Sequence, residues 1–318
     1  MKKGNLSKLS VKRISTSPYF SPEFEKLEKN KIESVAGAKM LPANSEQLAD
    51  ILITNTHTDI STISEAQLRA CQLLIHPNSG YDNLPAEFIK QASFPVIIGN
   101  PIRAHAVSNY ILSALYTHYS PIPFDHSWSP SRKWPRKLLQ ELSILILGSG
   151  HIGNLLHSSL ASSVASIQVY DPYIGPNELK LKGVDVVIPA CSLNQANKHM
   201  INQQFLLQLN EDFLLINAAR GGLVHTEELL NVLAMRPRAH AILDVFEKEP
   251  ADLSIFGQRD NIRVSSHVAG VYEKIDATTA KFEAEVISDF QMLDHSEFEK
   301  KYKTLILKNR LSPDGFLI

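Results

Sequence analysis

Short apolar runs recur along this chain with helix-patterned stretches between them. In the amino-terminal third, Ile51-Leu52-Ile53, Gln72-Leu73-Leu74-Ile75 and Pro95-Val96-Ile97-Ile98 each read as a buried strand. Residues 64–70 and 85–92 read as the helices between them. Such βαβ repetition implies a parallel sheet with helices on its faces. A long helix over 104–119 follows, stopped by Pro121 and Pro123. Residues 120–140 then form a proline-punctuated loop holding Trp128 and Trp134.

A second βαβ series starts beyond that loop. Its strands are expected at 144–147, 167–170, 184–188, 213–217, 239–243 and 262–265, with helices such as 151–162, 202–209 and 226–235. Six short strands with right-handed crossovers fit the doubly wound dinucleotide fold. After Gly270 a helical stretch to about Leu293 places Phe282, Val286, Ile287 and Phe290 at helical spacing. The lysine-rich tail after Glu297 reads as solvated surface. The fold class is therefore α/β.

Composition narrows the picture further. A chain of 318 residues suits two domains. A net charge of −1 offers no general attraction to nucleic acid. The amino terminus is basic (Lys2, Lys3, Lys8, Lys12, Arg13), but no apolar core follows, which argues against a secretory signal. No run approaches the roughly 20 apolar residues that span a bilayer. Cys71 and Cys191 form neither a disulfide framework nor a metal spacing, so no metal is expected. A cytoplasmic protein is the default.

Candidate chemistry begins at Gly148-Ser149-Gly150-His151-Ile152-Gly153, directly after an expected strand. In a dinucleotide-binding turn the first glycine permits the bend, the second lets the backbone approach a pyrophosphate, and the third lets helix pack on strand. The helix amino terminus then offers its N–H groups to the anion. A bare match of this kind is weak, but a second strand ends at Asp171, 23 residues after Gly148. That is near the spacing of an acid that binds the adenosine ribose and repels a 2′-phosphate, so NAD is favoured over NADP. The competing reading of Asp171 is a turn residue, since Asp-Pro commonly opens turns.

Three ionisable residues lie just beyond successive strands of the second series: Arg220, Glu249 and His267. Ligands of open α/β sheets sit outside the carboxyl ends of the strands, so the three can converge. A guanidinium can grip a carboxylate bidentately. An imidazole can give and take the proton of a hydroxyl or carbonyl oxygen. A carboxylate beside an imidazole favours its charged form and orients the ring. Each alone has a plain alternative as a surface or loop residue; their joint placement points to hydride transfer on a small 2-hydroxy acid.

With those segments in view, the chain resembles the D-isomer-specific 2-hydroxyacid dehydrogenase family. The matching stretches are Leu147 to Gly153, Ile216 to Val224, Leu243 to Pro250 and Ser265 to Gly270, and the resemblance covers roughly residues 45–295. It implies a Rossmann cofactor domain (101–274) inserted into a flavodoxin-like substrate domain (1–100 plus 275–318). It implies Arg220 on the substrate carboxylate, His267 as acid/base and Glu249 as its partner, with Glu247 the close competitor. Cofactor contacts would come from Gly148, Gly150, His151, Ile152, Gly153, Asp171, Ala218, Ala219, Asp244 and Gly270. The loop Pro77 to Asn83 looks like the family's substrate loop, with Asn78, Ser79 and Gly80 as contacts. NAD is the implied cofactor and a homodimer the implied assembly, with the region around 101–140 at its interface. Trp128 and Trp134 could serve there or pack in the core.

The chain also departs from the family. Asn109 replaces a glutamate, His225 stands in place of an aspartate, Ser192-Leu193 replaces Pro-Leu, and Arg103 replaces a small polar residue. Arg103 is either a surface arginine or a cation for a phosphorylated or dicarboxylic substrate. An alternative function is a non-catalytic NAD(H)-responsive regulator, because fold does not fix function; a pure sensor, however, needs no acid/base pair.

Overall fold

The computed structural model describes residues 8–14, 21–124, 128–134, 136–257 and 259–318. Lys2 and Lys3 of the basic amino terminus lie outside them. Two compact units divide the chain. The first takes the chain up to Arg103 together with Tyr272–Leu317, and the second takes Ala104–Val271 with Ile318.

The first unit holds β1 (Ser10–Arg13), α1 (Pro22–Val35), β2 (Lys39–Met40), β3 (Ile51–Ile53), α2 (Glu65–Ala70), β4 (Leu73–His76), α3 (Ala86–Gln91) and β5 (Val96–Ile98). All strands pair in parallel in the order β2-β1-β3-β4-β5, a flavodoxin-like sequence of strands. The strands β3, β4 and β5 are buried and, apart from His76 at the end of β4, apolar, as the sequence predicts. β1 has no such apolar run. Its Arg13 is buried beside Glu28 of α1, with Nε and Nη2 donating to Oε1 at 2.9 and 2.6 Å.

The helix α4 (Asn100–Tyr119) begins in the first unit and continues into the second. The second unit then runs β6 (Ser143–Leu147), α5 (His151–Leu160), β7 (Ser166–Tyr170), β8 (Val186–Pro189), α6 (Gln203–Leu207), β9 (Leu214–Asn217), α7 (Thr226–Met235), β10 (His240–Leu243) and β11 (Ile262–Val264). The six strands are all parallel, in the order β11-β10-β9-β8-β6-β7. Successive residues of each strand feed opposite faces. Leu145, Val187, Leu215 and Leu243 enter one core; Ile144, Ile146, Val186 and Ile216 enter the other. Connections diverge on either side of β6, and a ligand crevice is expected at such a switch point.

The chain closes with α8 (Ile275–Met292) and α9 (His295–Tyr302), both in the first unit, where α8 packs on α1. Asp294 and Glu297 form a reciprocal cap at the start of α9. Lys300, Lys301, Lys303 and Lys308 are exposed, as expected of the tail. Between them Phe298, Tyr302 and Leu305 to Leu307 are buried, so the tail is also part of the core. Both cysteines are free thiols. Among the described residues no helix is long and apolar enough to cross a membrane.

Candidate active site

The glycine turn sits between β6 and α5. Gly148 has φ +112, a backbone that side-chain-bearing residues rarely adopt, and a Cβ there would lie 2.8 Å from the Ala190 carbonyl oxygen. A Cβ on Gly153 would run into the Gly148 oxygen, so only glycine lets α5 approach β6 this closely. Above Gly150 there is open space, with no atom within 4 Å of a Cβ, and no side chain caps the helix start at His151. An open ledge at an uncapped helix terminus fits a dinucleotide's pyrophosphate.

Asp171 follows β7 and is buried. Its Oδ2 accepts from Ser149 N (2.9 Å) and Ser149 Oγ (3.2 Å); its Oδ1 accepts from Tyr173 N (3.1 Å) and Ile174 N (3.2 Å). The carboxylate thus ties the glycine turn to its own turn. Ribose hydroxyls would have to share its oxygens with these donors.

Beyond β9, Asn217 shapes the next turn. Its Oδ1 accepts from Ala219 N and its Nδ2 donates to Arg220 O, at 3.1 and 3.0 Å. Ala218 and Ala219 are buried in this turn, and Arg220 Nη1 donates to Ala219 O at 2.7 Å. Gly221 lies against the backbone of Phe246 and Glu247, closer than any Cβ allows. The arginine turn is therefore brought against the segment that leads to Glu249.

His267 and Glu249 meet directly, Nδ1 to Oε2 at 2.7 Å. The other Glu249 oxygen accepts from Phe246 N at 3.0 Å, which fixes the carboxylate. Glu247 is engaged elsewhere: Oε2 lies 2.7 Å from His199 Nε2, and Oε1 accepts from Thr226 N at 2.8 Å. These bonds, with burial opposing them, hold its carboxyl below the usual range. Glu249, the glutamate preferred in the sequence over its competitor Glu247, is the one on the imidazole.

Asp244, at the end of β10, is fully buried. Its Oδ1 accepts from Ser265 Oγ (2.6 Å) and Val268 N (2.9 Å), and its Oδ2 from Ala269 N (2.8 Å). His267 N donates to the Asp244 carbonyl at 2.8 Å. The segment that carries His267 is wrapped around one carboxylate, and His267 itself takes φ +53. A non-glycine residue in the left-handed region costs on the order of 1–3 kcal/mol, so the wrapping must hold it there. Gly270 follows directly.

In the first unit the loop after β4 is also tied down. The His76 ring is buried; its Nε2 lies 2.7 Å from Gly80 O and its Nδ1 2.9 Å from Thr54 Oγ1. Since a carbonyl only accepts, Nε2 carries the proton. Burial pushes the His76 pKa down to about 4, which keeps the ring neutral. Gly99 N donates to His76 O (2.8 Å) and Asn78 O (3.1 Å), and a Cβ on Gly99 would fall on the Pro77 backbone. The amides of Ser79 and Gly80 donate to no protein acceptor among the described residues, and Ser79 Oγ is buried without a partner. Arg103 is half-buried, not a surface residue, and its Nη1 donates to Pro77 O at 2.9 Å. Gly99 and His76 escaped the sequence reading; a glycine and a histidine flanking strand ends were the only signals.

Residues 122–269 match the model of the D-isomer specific 2-hydroxyacid dehydrogenase NAD binding domain. That stretch is therefore a D-isomer specific 2-hydroxyacid dehydrogenase NAD-binding domain. The turn at Gly148 and the carboxyl ends of β6 to β11 described above are thus parts of an NAD-binding domain. An erythronate-4-phosphate dehydrogenase of Blochmanniella floridana is 24% identical over 232 residues, 68% of this chain and 58% of that relative. A (S)-sulfolactate dehydrogenase of Chromohalobacter salexigens is 24% identical over 255 residues, 74% of this chain and 81% of the relative. The chain thus spans less than two thirds of the first relative's length. An NAD+-bound 3-phosphoglycerate dehydrogenase of Entamoeba histolytica shares the fold, with a TM-score of 0.68 and 18% identity over 92% of this chain and 98% of that one.

Proposed function

We propose that this protein is an NAD-dependent oxidoreductase that interconverts a D-2-hydroxy acid and its 2-keto acid. The observation that carries the reading is the 2.7 Å contact of His267 with Glu249, on a domain of the NAD-binding kind. Bound nicotinamide supplies or accepts the hydride. In reduction, His267 donates a proton from Nε2 to the carbonyl oxygen; in oxidation it takes the proton back. Glu249 holds Nδ1, so the ring's working nitrogen faces outward, and it stabilises the imidazolium. Arg220 pairs with the substrate carboxylate. Asn78, Ser79 and Gly80 supply further anion contacts, supported by the two unbonded amides and the unpartnered Ser79 hydroxyl.

The company the chain keeps supports a finer substrate class. The names of the relatives given above each carry a phosphate or sulfonate besides the acid. We assign this chain a doubly anionic substrate, with Arg103 as the cation for the second group. A homodimer is the assembly this reading favours: Ile122, Phe124 and Trp128 are 72%, 90% and 82% exposed, so Trp128 is no core residue. The test of function is a panel of 2-keto acids with and without a second anion, with NADH and NADPH in parallel, read by loss of reduced-cofactor absorbance. Absence of turnover across the panel would refute the reading.

A further inference from the structure

A tyrosine on α4 reaches the segment that carries His267. Tyr110 Oη lies 2.7 Å from Ser265 Oγ, which lies 2.6 Å from Asp244 Oδ1. All three residues and His267 belong to the second unit. The direction of this chain of bonds is set by counting protons. The Asp244 carboxylate accepts, as its bonds from Val268 N and Ala269 N require. Ser265 has one hydroxyl proton, and it goes to Asp244. The Ser265 oxygen must then accept, and Tyr110 O–H must donate. Burial pushes the Tyr110 pKa up, so the donor proton stays in place.

We propose that Tyr110 is a positioning residue for His267, acting through Ser265 and the Asp244 carboxylate. The proposal rests on the reading of His267 as the acid/base group, but its geometry is separate from that chemistry. Asp244 organises the backbone on both sides of His267, from Ser265 through Ala269, and holds the His267 amide through its own carbonyl. Among the described residues Ser265 is the only side chain that donates to that carboxylate; the other donors are backbone amides. Tyr110 fixes the rotamer of this side chain from an element outside the loop. A polarised Tyr–Ser–carboxylate chain is stronger than its separate links. Without the tyrosine donor the serine hydroxyl is free to rotate away, and the left-handed His267 backbone loses one of its constraints.

The test uses the full chain and four variants: Tyr110→Phe, Ser265→Ala, Ser265→Thr and the Tyr110→Phe/Ser265→Ala double. The first reading is the His267 imidazole resonances through a pH titration by nitrogen-15 NMR, assigned with His267→Gln. Tyr110→Phe and Ser265→Ala should each displace the His267 titration from wild type, and Ser265→Thr should restore it. The second reading is steady-state kinetics, where kcat should fall about 5- to 10-fold with the KM for NADH within about twofold. The double variant should match Ser265→Ala, because Tyr110 acts only through that hydroxyl. An unmoved His267 titration in Tyr110→Phe, or losses that multiply in the double variant, would overturn the proposal. If wild type turns over no 2-keto acid, the assigned function fails, while the NMR reading still decides whether Tyr110 positions the ring.

Discussion

Glu249 Oε2 stands 2.7 Å from His267 Nδ1, while its other oxygen is held by the Phe246 amide. The imidazole is therefore oriented by a carboxylate that is itself fixed to the backbone. Replacing His267 by Gln keeps a polar side chain but removes the transferable proton. Turnover is expected to fall by about 10²–10⁴, with NADH affinity retained in a fluorescence titration. Glu249→Gln keeps an oxygen for the Phe246 amide and loses the charge, so its loss should be smaller. Equal turnover in wild type and His267→Gln would remove the assigned proton donor.

Asp171 meets the glycine turn through Ser149 and its own turn through Tyr173 and Ile174. Its negative charge is what disfavours a 2′-phosphate. Asp171→Ser should raise the KM for NADH and increase the ratio of NADPH to NADH efficiency. Part of the loss is structural, because three backbone amides lose their acceptor at about 1–3 kcal/mol for each group left buried and unpaired. Measuring melting temperature beside both kcat/KM values separates the two. An unchanged cofactor ratio would take Asp171 out of cofactor choice.

How much of this was legible beforehand depended on how each element is stabilised. The strands with apolar runs, from Ile51–Ile53 through β6, β8, β9 and β10 of the second unit, announce themselves, because burial in a parallel sheet demands such runs. β1 does not, because Arg13 occupies a buried strand position. Its guanidinium donates to Glu28, 15 residues away, and to Glu283, 270 residues away. No local pattern encodes such a pairing. The candidate site divides in a similar way. Gly148, Gly153 and the strand-end placement of His267 follow from local patterns, and the preference for Glu249 over Glu247 came from the resemblance; that Glu247 is taken up by His199, 48 residues away, no local pattern encodes.

That buried cluster has a pH signature. Burial pushes the Glu283 carboxyl up to about 8, with Arg13 opposing and Glu28 adding to the rise. Arg13 and Glu28 face it from β1 and α1, and Arg103 feels its charge. A free carboxyl in the unfolded chain titrates near about 4.3. Between that value and about 8 the folded protein holds a proton the unfolded chain has lost, so stability falls as pH rises through this window. Glu283→Gln mimics the protonated side chain and lacks this slope. Its melting temperature should gain on wild type as pH is raised from 5 to 9. The opposing trend from neutral His76, lost as pH falls, is common to both proteins and cancels. Parallel melting curves across that range would show that Glu283 is ionised in the fold.

Arg103 spends one guanidinium nitrogen on the Pro77 carbonyl, directly before the loop with the unbonded Ser79 and Gly80 amides. Two roles are then separable. As a brace, it holds the loop for every substrate alike. As a cation for a second anion, it discriminates among substrates. Arg103→Ala should raise KM about tenfold more for a phosphorylated or sulfonated 2-keto acid than for one with a single carboxylate, a difference of about 1.4 kcal/mol. Arg103→Lys keeps the charge but loses the planar fork, so it should recover part of the discrimination and less of the bracing. Equal losses on both substrate types would leave Arg103 the brace alone.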